Sequence, residues 1–219
     1  MKAIVIGATG ATGKEVVDLL LKDVYFTEVI LFVRRTLPRT HEKLTVYEID
    51  FDNPSEWQSL VQGDVLFSCL GTTLKAAGSK EAQWKIDHDY QLTFAQIAKQ
   101  NGVSTYVLVS SAMAHPDSSF FYMKLKGKLE EAVKALDFER TLIFQPPSLI
   151  RENSDRLGEK FGVKILQFLN QFGIAKKQKP LHTKDLAASM VEHAKGNKKG
   201  LQVFTPKALY PYVILSATQ

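Results

Sequence analysis

Six short runs along the chain are almost continuously apolar: residues 2–6 (KAIVI), 28–33 (EVILFV), 44–49 (LTVYEI), 64–69 (DVLFSC), 105–111 (TYVLVSS) and 140–145 (RTLIFQ). Runs of this length with little polar alternation predict strands covered on both faces. Between them the apolar positions recur with a helical period, most clearly at 14–23 (KEVVDLLLKD), 81–102 (EAQWKIDHDYQLTFAQIAKQNG) and 122–136 (YMKLKGKLEEAVKAL). The second of these ends on Asn101-Gly102, a helix stop signal. Strand–helix alternation at this spacing predicts an α/β fold: a doubly wound, mostly parallel sheet with right-handed crossovers and helices on both faces.

After the sixth strand the rhythm changes. A loop and helix start at 146–162, an apolar helix at 163–173 and a further helix within 180–196, with Thr183 as its cap, are expected. The apolar tail at 209–219 is expected to pack on the body. The whole chain of 219 residues reads as one domain, with 147–219 adding a small helical, substrate-side extension.

Composition narrows the partners. The net charge is +5, and the basic clusters at 176–179 and 195–199 are short and carry no interleaved aromatics. A stacking surface for nucleic acid is therefore not expected, whereas an anionic small molecule suits the mild positive balance. No apolar run reaches transmembrane length, so no membrane partner is expected. The lone Cys69 cannot form an internal disulfide, and the chain opens directly into a strand pattern. Both point to the cytoplasm.

The first strand runs into GATGATGK, with Gly7, Gly10 and Gly13 at the strand-to-helix junction. One glycine permits the tight turn, one lets backbone approach a pyrophosphate, and one lets the helix pack close to the strand. The helix N-terminus then offers free N–H groups to phosphate, with Thr9 and Thr12 as further donors. A tight turn without ligand is the alternative. A nucleoside triphosphate loop is excluded: Gly13-Lys14 is followed by Glu15, and Ala8 stands where that loop needs its first glycine. A carboxylate at the end of the second strand would bind the ribose hydroxyls of NAD. Arg34 and Arg35 stand there instead. Unless they are simply surface residues, two guanidinium groups suit the 2′-phosphate of NADP. Asp50-Phe51 closes the third strand, where the acid could meet the adenine amino group. Leu70, Gly71 and Thr72 close the fourth, where ligands bind in such sheets.

Tyr122 and Lys126 are four residues apart and share a helix face. A nearby ammonium is expected to lower the tyrosine pKa and make it a usable proton donor or acceptor. Ser110 and Ser111 end the fifth strand, where a hydroxyl can hold a carbonyl oxygen. The spacing alone is common, and a half-buried tyrosine beside a solvated lysine would produce it. The order of glycine loop, basic strand end, serines, tyrosine and lysine is what carries the functional reading.

With these motifs, and with SCLGTTLKAAG, DHDY and FQPPSLI, the chain resembles the short-chain dehydrogenase/reductases. It is most similar to the small atypical branch related to mammalian Tat-interacting oxidoreductase-like proteins. The resemblance implies a Rossmann fold and bound NADP(H). It implies that Gly7, Thr9, Gly10, Ala11, Thr12, Gly13, Arg34, Arg35, Asp50, Phe51, Leu70, Gly71, Thr72, Lys126 and Pro146 hold the cofactor. It further implies a catalytic group of Ser110 or Ser111 with Tyr122 and Lys126, acting on a small carbonyl substrate, and it places Asp87 along the cofactor cleft. The chain departs from the family at Gln145-Pro146-Pro147, where members often read Arg-Pro-Gly. The short stretch after that strand argues against a nucleotide-sugar epimerase. A regulatory NADP(H)-sensing module with little turnover is the alternative reading. The helix at 80–101 is a candidate homodimer surface. Asp87-His88-Asp89 point apart on a helix and form no expected metal site.

Overall fold

The computed structural model describes residues 1–150 and 180–209. Strand β1 (Lys2–Ile6) is buried at every position after Lys2, because helices cover both of its faces. In chain order there follow α1 (Ala11–Lys22), β2 (Glu28–Val33), β3 (Leu44–Glu48), a single-turn α2 (Pro54–Trp57), β4 (Val65–Ser68), α3 (Leu74–Ala77) and α4 (Lys80–Trp84). A π-helical turn (Lys85–Asp89) then joins α4 to α5 (Tyr90–Gln100), followed by β5 (Thr105–Val109), α6 (Phe121–Lys134) and β6 (Arg140–Phe144). The short β7 (Leu149–Ile150) pairs with β8 (Leu181–His182), and α7 (Thr183–Lys195) and β9 (Gly200–Phe204) follow.

Seven strands form one sheet in the order β3-β2-β1-β4-β5-β6-β9, every pair parallel. The chain winds outward from β1 to β3, then returns to β4 beside β1 and winds the other way. The reversal opens a crevice at the carboxyl ends of β1 and β4, the place where such sheets bind ligands. This is a Rossmann-type fold.

The strand period of two sorts the core. Ala3 and Val5 of β1 face Val16, Val17 and Leu20 of α1 and join a cluster that includes Leu186 and Met190 of α7. Ile4 and Ile6 face the other way, with Phe94 and Ala98 of α5 and Leu129 and Val133 of α6. There Trp57 stacks on Phe94 at 4.6 Å between centroids, and Phe32 meets the same ring edge-on at 5.0 Å. Burying each such ring contributes about 1.5–3 kcal/mol. Buried Arg140 of β6 donates to the carbonyls of Ala194 (2.9 Å) and His193 (2.7 Å), tying the sheet to the negative end of α7.

Three expectations need correction. The helix expected over 81–102 is interrupted by a π turn at Lys85–Asp89, within which Asp87 is fully buried. Thr183 does not cap α7; it is the buried first residue of the helix, and His182 stands at the cap without a side-chain bond. Gly200–Phe204 adds a seventh parallel strand where none was expected. The helix expected at 163–173, the loop at 151–162 and the tail beyond Leu209 lie outside the described residues.

Candidate active site

The turn after β1 is built around contacts that leave no room for a side chain. Gly7 has φ +78°, and a Cβ there would lie 2.4 Å from the Cys69 carbonyl carbon on β4's end. A Cβ on Gly13 would lie 2.1 Å from the Gly7 oxygen, so α1 sits directly against the turn. Gly10 caps α1 in extended conformation, accepting from Lys14 N–H at 3.0 Å and donating to Gly7 O at 2.9 Å. No side chain caps α1, and its first turn holds no acid. The free N–H groups and positive dipole end at residues 11–13 therefore face the crevice without a competing anion. Thr9 is exposed there, whereas the Thr12 side chain is buried.

The opposite lip is the end of β4. Cys69 N–H donates to Ile6 O at 3.0 Å, and Leu70 follows half-buried. A Cβ on Gly71 would meet no atom within 4 Å, so this backbone is open on that side. Burial pushes the Cys69 thiol up to about 12, which keeps it a thiol. The outer end of the crevice carries Arg34 and Arg35, both exposed just past β2. Among the described residues neither guanidinium has an ion pair, while the neighbouring Thr36 hydroxyl donates to Glu48. Asp50 is exposed, but its carboxylate accepts from Asp52 N–H (2.9 Å) and Asn53 Nδ2 (2.7 Å), which fixes the local turn. Phe51 is buried in the aromatic cluster around Trp57 and Phe94.

A dinucleotide fits this ground. The cradle is a place where added Cβ atoms would collide, the helix end is unopposed, and Arg34 and Arg35 at the end of β2 make no ion pair among the described residues.

The inner end of the crevice is formed by β5, α6 and the π turn. The two serines, adjacent beyond β5, diverge. Ser110 is buried and its hydroxyl donates to Glu130 Oε1 of α6 at 2.5 Å. Ser111 is half-buried and its hydroxyl lies beside the Tyr122 phenol. Of the two candidates, Ser111 shares the tyrosine's site, and Ser110 belongs to the support behind it. Glu130 also accepts from Gln145 Nε2 at 2.9 and 3.1 Å and meets Lys134 Nζ at 3.4 Å. Pro146, buried next in the chain, accepts from Ala112 N–H at 2.9 Å and so joins the loops after β5 and β6.

Tyr122 is half-buried and Lys126 is 3% exposed. Lys126 Nζ donates to Val109 O at 3.4 Å. Burial pulls its pKa below the ordinary lysine value, and Asp87, then Glu130, oppose that pull. Asp87 is fully buried; its Oδ1 accepts from Thr72 N–H at 2.7 Å and its Oδ2 from Gln83 Nε2 at 3.4 Å. Burial raises the Asp87 pKa, and Lys126 is the main influence holding it down. The expectation that Lys126 lowers the Tyr122 pKa is overturned. Burial first, and the Asp87 charge second, push the phenol above its ordinary value, with Ser111 opposing them. The lysine is not a solvated charge beside the phenol; it is the cation between two buried acids.

Asp87, Glu130 and Gln145 are the residues that motif reading undervalued. The DHDY segment signalled Asp87, but not that it would be fully buried. Among the described residues no three His, Cys, Asp or Glu side chains group as a metal site, and no helix is long and apolar enough to cross a membrane.

Comparisons with known proteins identify the family and the fold. A family described as NAD(P)H-binding matches residues 7–194. The mitochondrial protein FMP52 of Saccharomyces cerevisiae is 42% identical over 166 residues, covering 74% of this chain and 71% of its own. The structure of Bordetella bronchiseptica WbmH in complex with NAD+ superimposes with a TM-score of 0.69 at 18% identity, over 99% of this chain and 81% of that one. A short-chain dehydrogenase family protein from Francisella tularensis gives 0.67 at 16% identity, over 95% and 98%. The names of the fungal relatives contradict the cytoplasmic expectation: FMP52 in S. cerevisiae and in Kluyveromyces lactis is called mitochondrial. A single cysteine and a strand-like beginning do not distinguish one reducing compartment from another.

Proposed function

Because this chain belongs to the NAD(P)H-binding family and is an atypical short-chain dehydrogenase/reductase, we propose that it is an NADP(H)-dependent reductase of a small carbonyl compound. One observation supports the reading: Ser111 lies beside Tyr122, and buried Lys126 follows one turn along the same helix, while Arg34 and Arg35 stand exposed at the end of β2.

In this reading Gly7, Gly10 and Gly13 admit the pyrophosphate to the N–H groups of α1. Arg34 and Arg35 pair with the 2′-phosphate, and Leu70 and Gly71 line the opposite wall. NADPH, when bound, supplies the hydride. Ser111 donates a hydrogen bond to the substrate oxygen and fixes it against the Tyr122 hydroxyl. Tyr122, held as a neutral phenol, gives its proton to that oxygen as negative charge develops there. Lys126 stands one turn away, buried and facing Asp87 and Glu130, and can reach a ribose hydroxyl. Glu130, through Ser110 and Gln145, keeps the ends of β5 and β6 in register with α6. The match to a fungal protein whose name carries no activity leaves a sensing role as the competing reading.

The test is turnover of NADPH against a panel of aliphatic and aromatic aldehydes and ketones. Tyr122→Phe is expected to lower turnover about a hundredfold or more and leave NADPH affinity within twofold. Full activity in that variant would remove Tyr122 from the chemistry. NADPH binding with no turnover on any carbonyl would favour the sensor.

A further inference from the structure

We propose that Met113 is a specificity-determining residue that selects carbonyl compounds carrying a flexible apolar chain, which lies against a wall formed with Leu74 and Ile150. This rests on the reading of Ser111 and Tyr122 as the reaction centre, and it names the class of substrate.

Exposed apolar side chains are unevenly placed at the carboxyl end of the sheet. Leu74 (46% exposed), Met113 (51%) and Ile150 (41%) stand in the segments that follow β4, β5 and β6. Those strands are parallel neighbours, so the three segments leave the same end of the sheet. Ser111 and the start of α6, with Tyr122, lie at that end too. Past β1, β2 and β3 the exposed side chains include Thr9, Arg34, Arg35, Asp50 and Asp52. No large hydrophobic side chain is exposed at those strand ends among the described residues. One half of this end suits a charged nucleotide and the other an apolar group. Single exposed hydrophobics are ordinary on a surface; three supplied by adjacent strands around one pair of hydroxyls mark a place for a ligand.

Met113 carries the sharpest sign. It follows Ser111 by two residues, and its φ is +64°, a left-handed conformation that a long side chain rarely adopts. Such a backbone persists only where its surroundings over-determine it. Here they do. Ala112 N–H donates to Pro146 O at 2.9 Å, Ala114 N–H to Ser111 O at 3.1 Å, and His115 N–H to Met123 O at 3.1 Å. A Cβ on Gly127 would lie 2.2 Å from the His115 carbonyl carbon, so the loop lies flush on α6. The backbone on both sides of Met113 is therefore pinned to the end of β6, to Ser111 and to the helix that carries Tyr122, while its side chain stays in water. The polar side chain next in the loop is turned to local use: His115 Nδ1 accepts from Asp117 N–H at 3.2 Å. A thioether on a rigid backbone adapts to apolar groups of varied shape, which suits an alkyl chain better than one fixed ring.

The experiment labels the methionine methyl groups of the full chain with carbon-13, so that Met1, Met113, Met123 and Met190 each give one NMR signal. The protein, with and without NADPH, is titrated with octanamide, an unreactive carbonyl compound with an alkyl chain, and with acetamide. The Met113 signal, assigned by its loss in Met113→Gln, is expected to shift to saturation with octanamide and to stay in place with acetamide, while buried Met123 and Met190 move less. A Met113 signal that octanamide leaves in place overturns the proposal. In turnover, kcat/KM from propanal to octanal is expected to rise by about fourfold for each of the first added methylenes. Met113→Gln should bring that rise below about twofold, and Leu201→Gln on the edge strand β9 should leave it as it was. A flat series in the wild type, or a rise that Met113→Gln does not reduce, overturns the proposal as well. Met113→Gly, whose backbone favours φ +64°, carries the same expectation should the glutamine variant not fold. If no carbonyl compound is reduced, the reductase reading fails and the methyl titration still decides this proposal; an active reductase with a flat series sinks this proposal alone.

Discussion

Lys126→Met is the sharpest perturbation of the inner site. The substitution keeps the length of the side chain and removes the one cation that faces both Asp87 and Glu130. Glu130 retains Ser110, Gln145 and Lys134, whereas Asp87 retains one short N–H bond and one long amide contact. The cost therefore falls mainly on Asp87, now a buried carboxylate without a counter-charge. Lys126 and Asp87 make no ion-pair contact, and removing Lys126 also relieves the burial of its ammonium, so the cost is about 1–3 kcal/mol. The pH dependence follows in sign. Burial already raises the folded-state pKa of Asp87, and Lys126 is the main influence restraining it, so the variant raises it further. Unfolded aspartate titrates at about 3.9. The folded variant takes up a proton that the unfolded chain does not hold, so its stability increases as pH falls through the folded pKa toward 3.9. Urea denaturation of wild type and variant from pH 8 to pH 5 is the assay. The expected result is a deficit of about 1–3 kcal/mol at pH 8 that shrinks at pH 5. A deficit below about 1 kcal/mol that does not change with pH would mean that Lys126 and Asp87 are both neutral in the native protein, and the argument from a charged pair would fail.

Two further outcomes are expected. Gly13→Ala puts a methyl group 2.1 Å from the Gly7 carbonyl oxygen, so α1 must shift; a loss of about 1–3 kcal/mol in stability and at least a tenfold weaker nucleotide affinity should appear in thermal melts with and without NADPH. Cys69, with its thiol pushed up to about 12, should resist alkylation by iodoacetamide at pH 8 in the folded protein and react only after denaturation.

The strands were legible because their signal is local. Each of the six apolar runs forms a strand of the main sheet, all buried except the edge strand β3, which is half-buried, and β1 and β2 begin and end where their sequence pattern does. β9 escaped because it is more exposed than the other edge strand, β3: Leu201 and Val203 face solvent, so the segment lacks even the half-burial of β3. The π turn escaped for another reason. Nothing in the spacing of 80–101 departs from a helix; the turn is tied in place by Thr72 N–H and Gln91. The inner site followed the same division. Tyr122 and Lys126 could be paired from their spacing, but which serine faces them depends on Glu130 taking Ser110. The sign of the tyrosine shift is set first by burial of the phenol, which its spacing from Lys126 does not reveal. Compartment was beyond reach, since a mitochondrial and a cytosolic enzyme bury the same core.

The most direct test of the account is calorimetric titration of the wild-type protein with NADPH and with NADH, repeated for the Arg34→Ala, Arg35→Ala double variant. The account predicts that NADPH binds at least tenfold more tightly than NADH and that the double variant erases the difference. That is the size expected when charge-assisted bonds to one phosphate are lost, about 1.5–3 kcal/mol each. Equal affinities in the wild type, or a preference for NADH, would take the two arginines out of the site. Binding of neither nucleotide would contradict the reading of the glycine turn on which the rest depends.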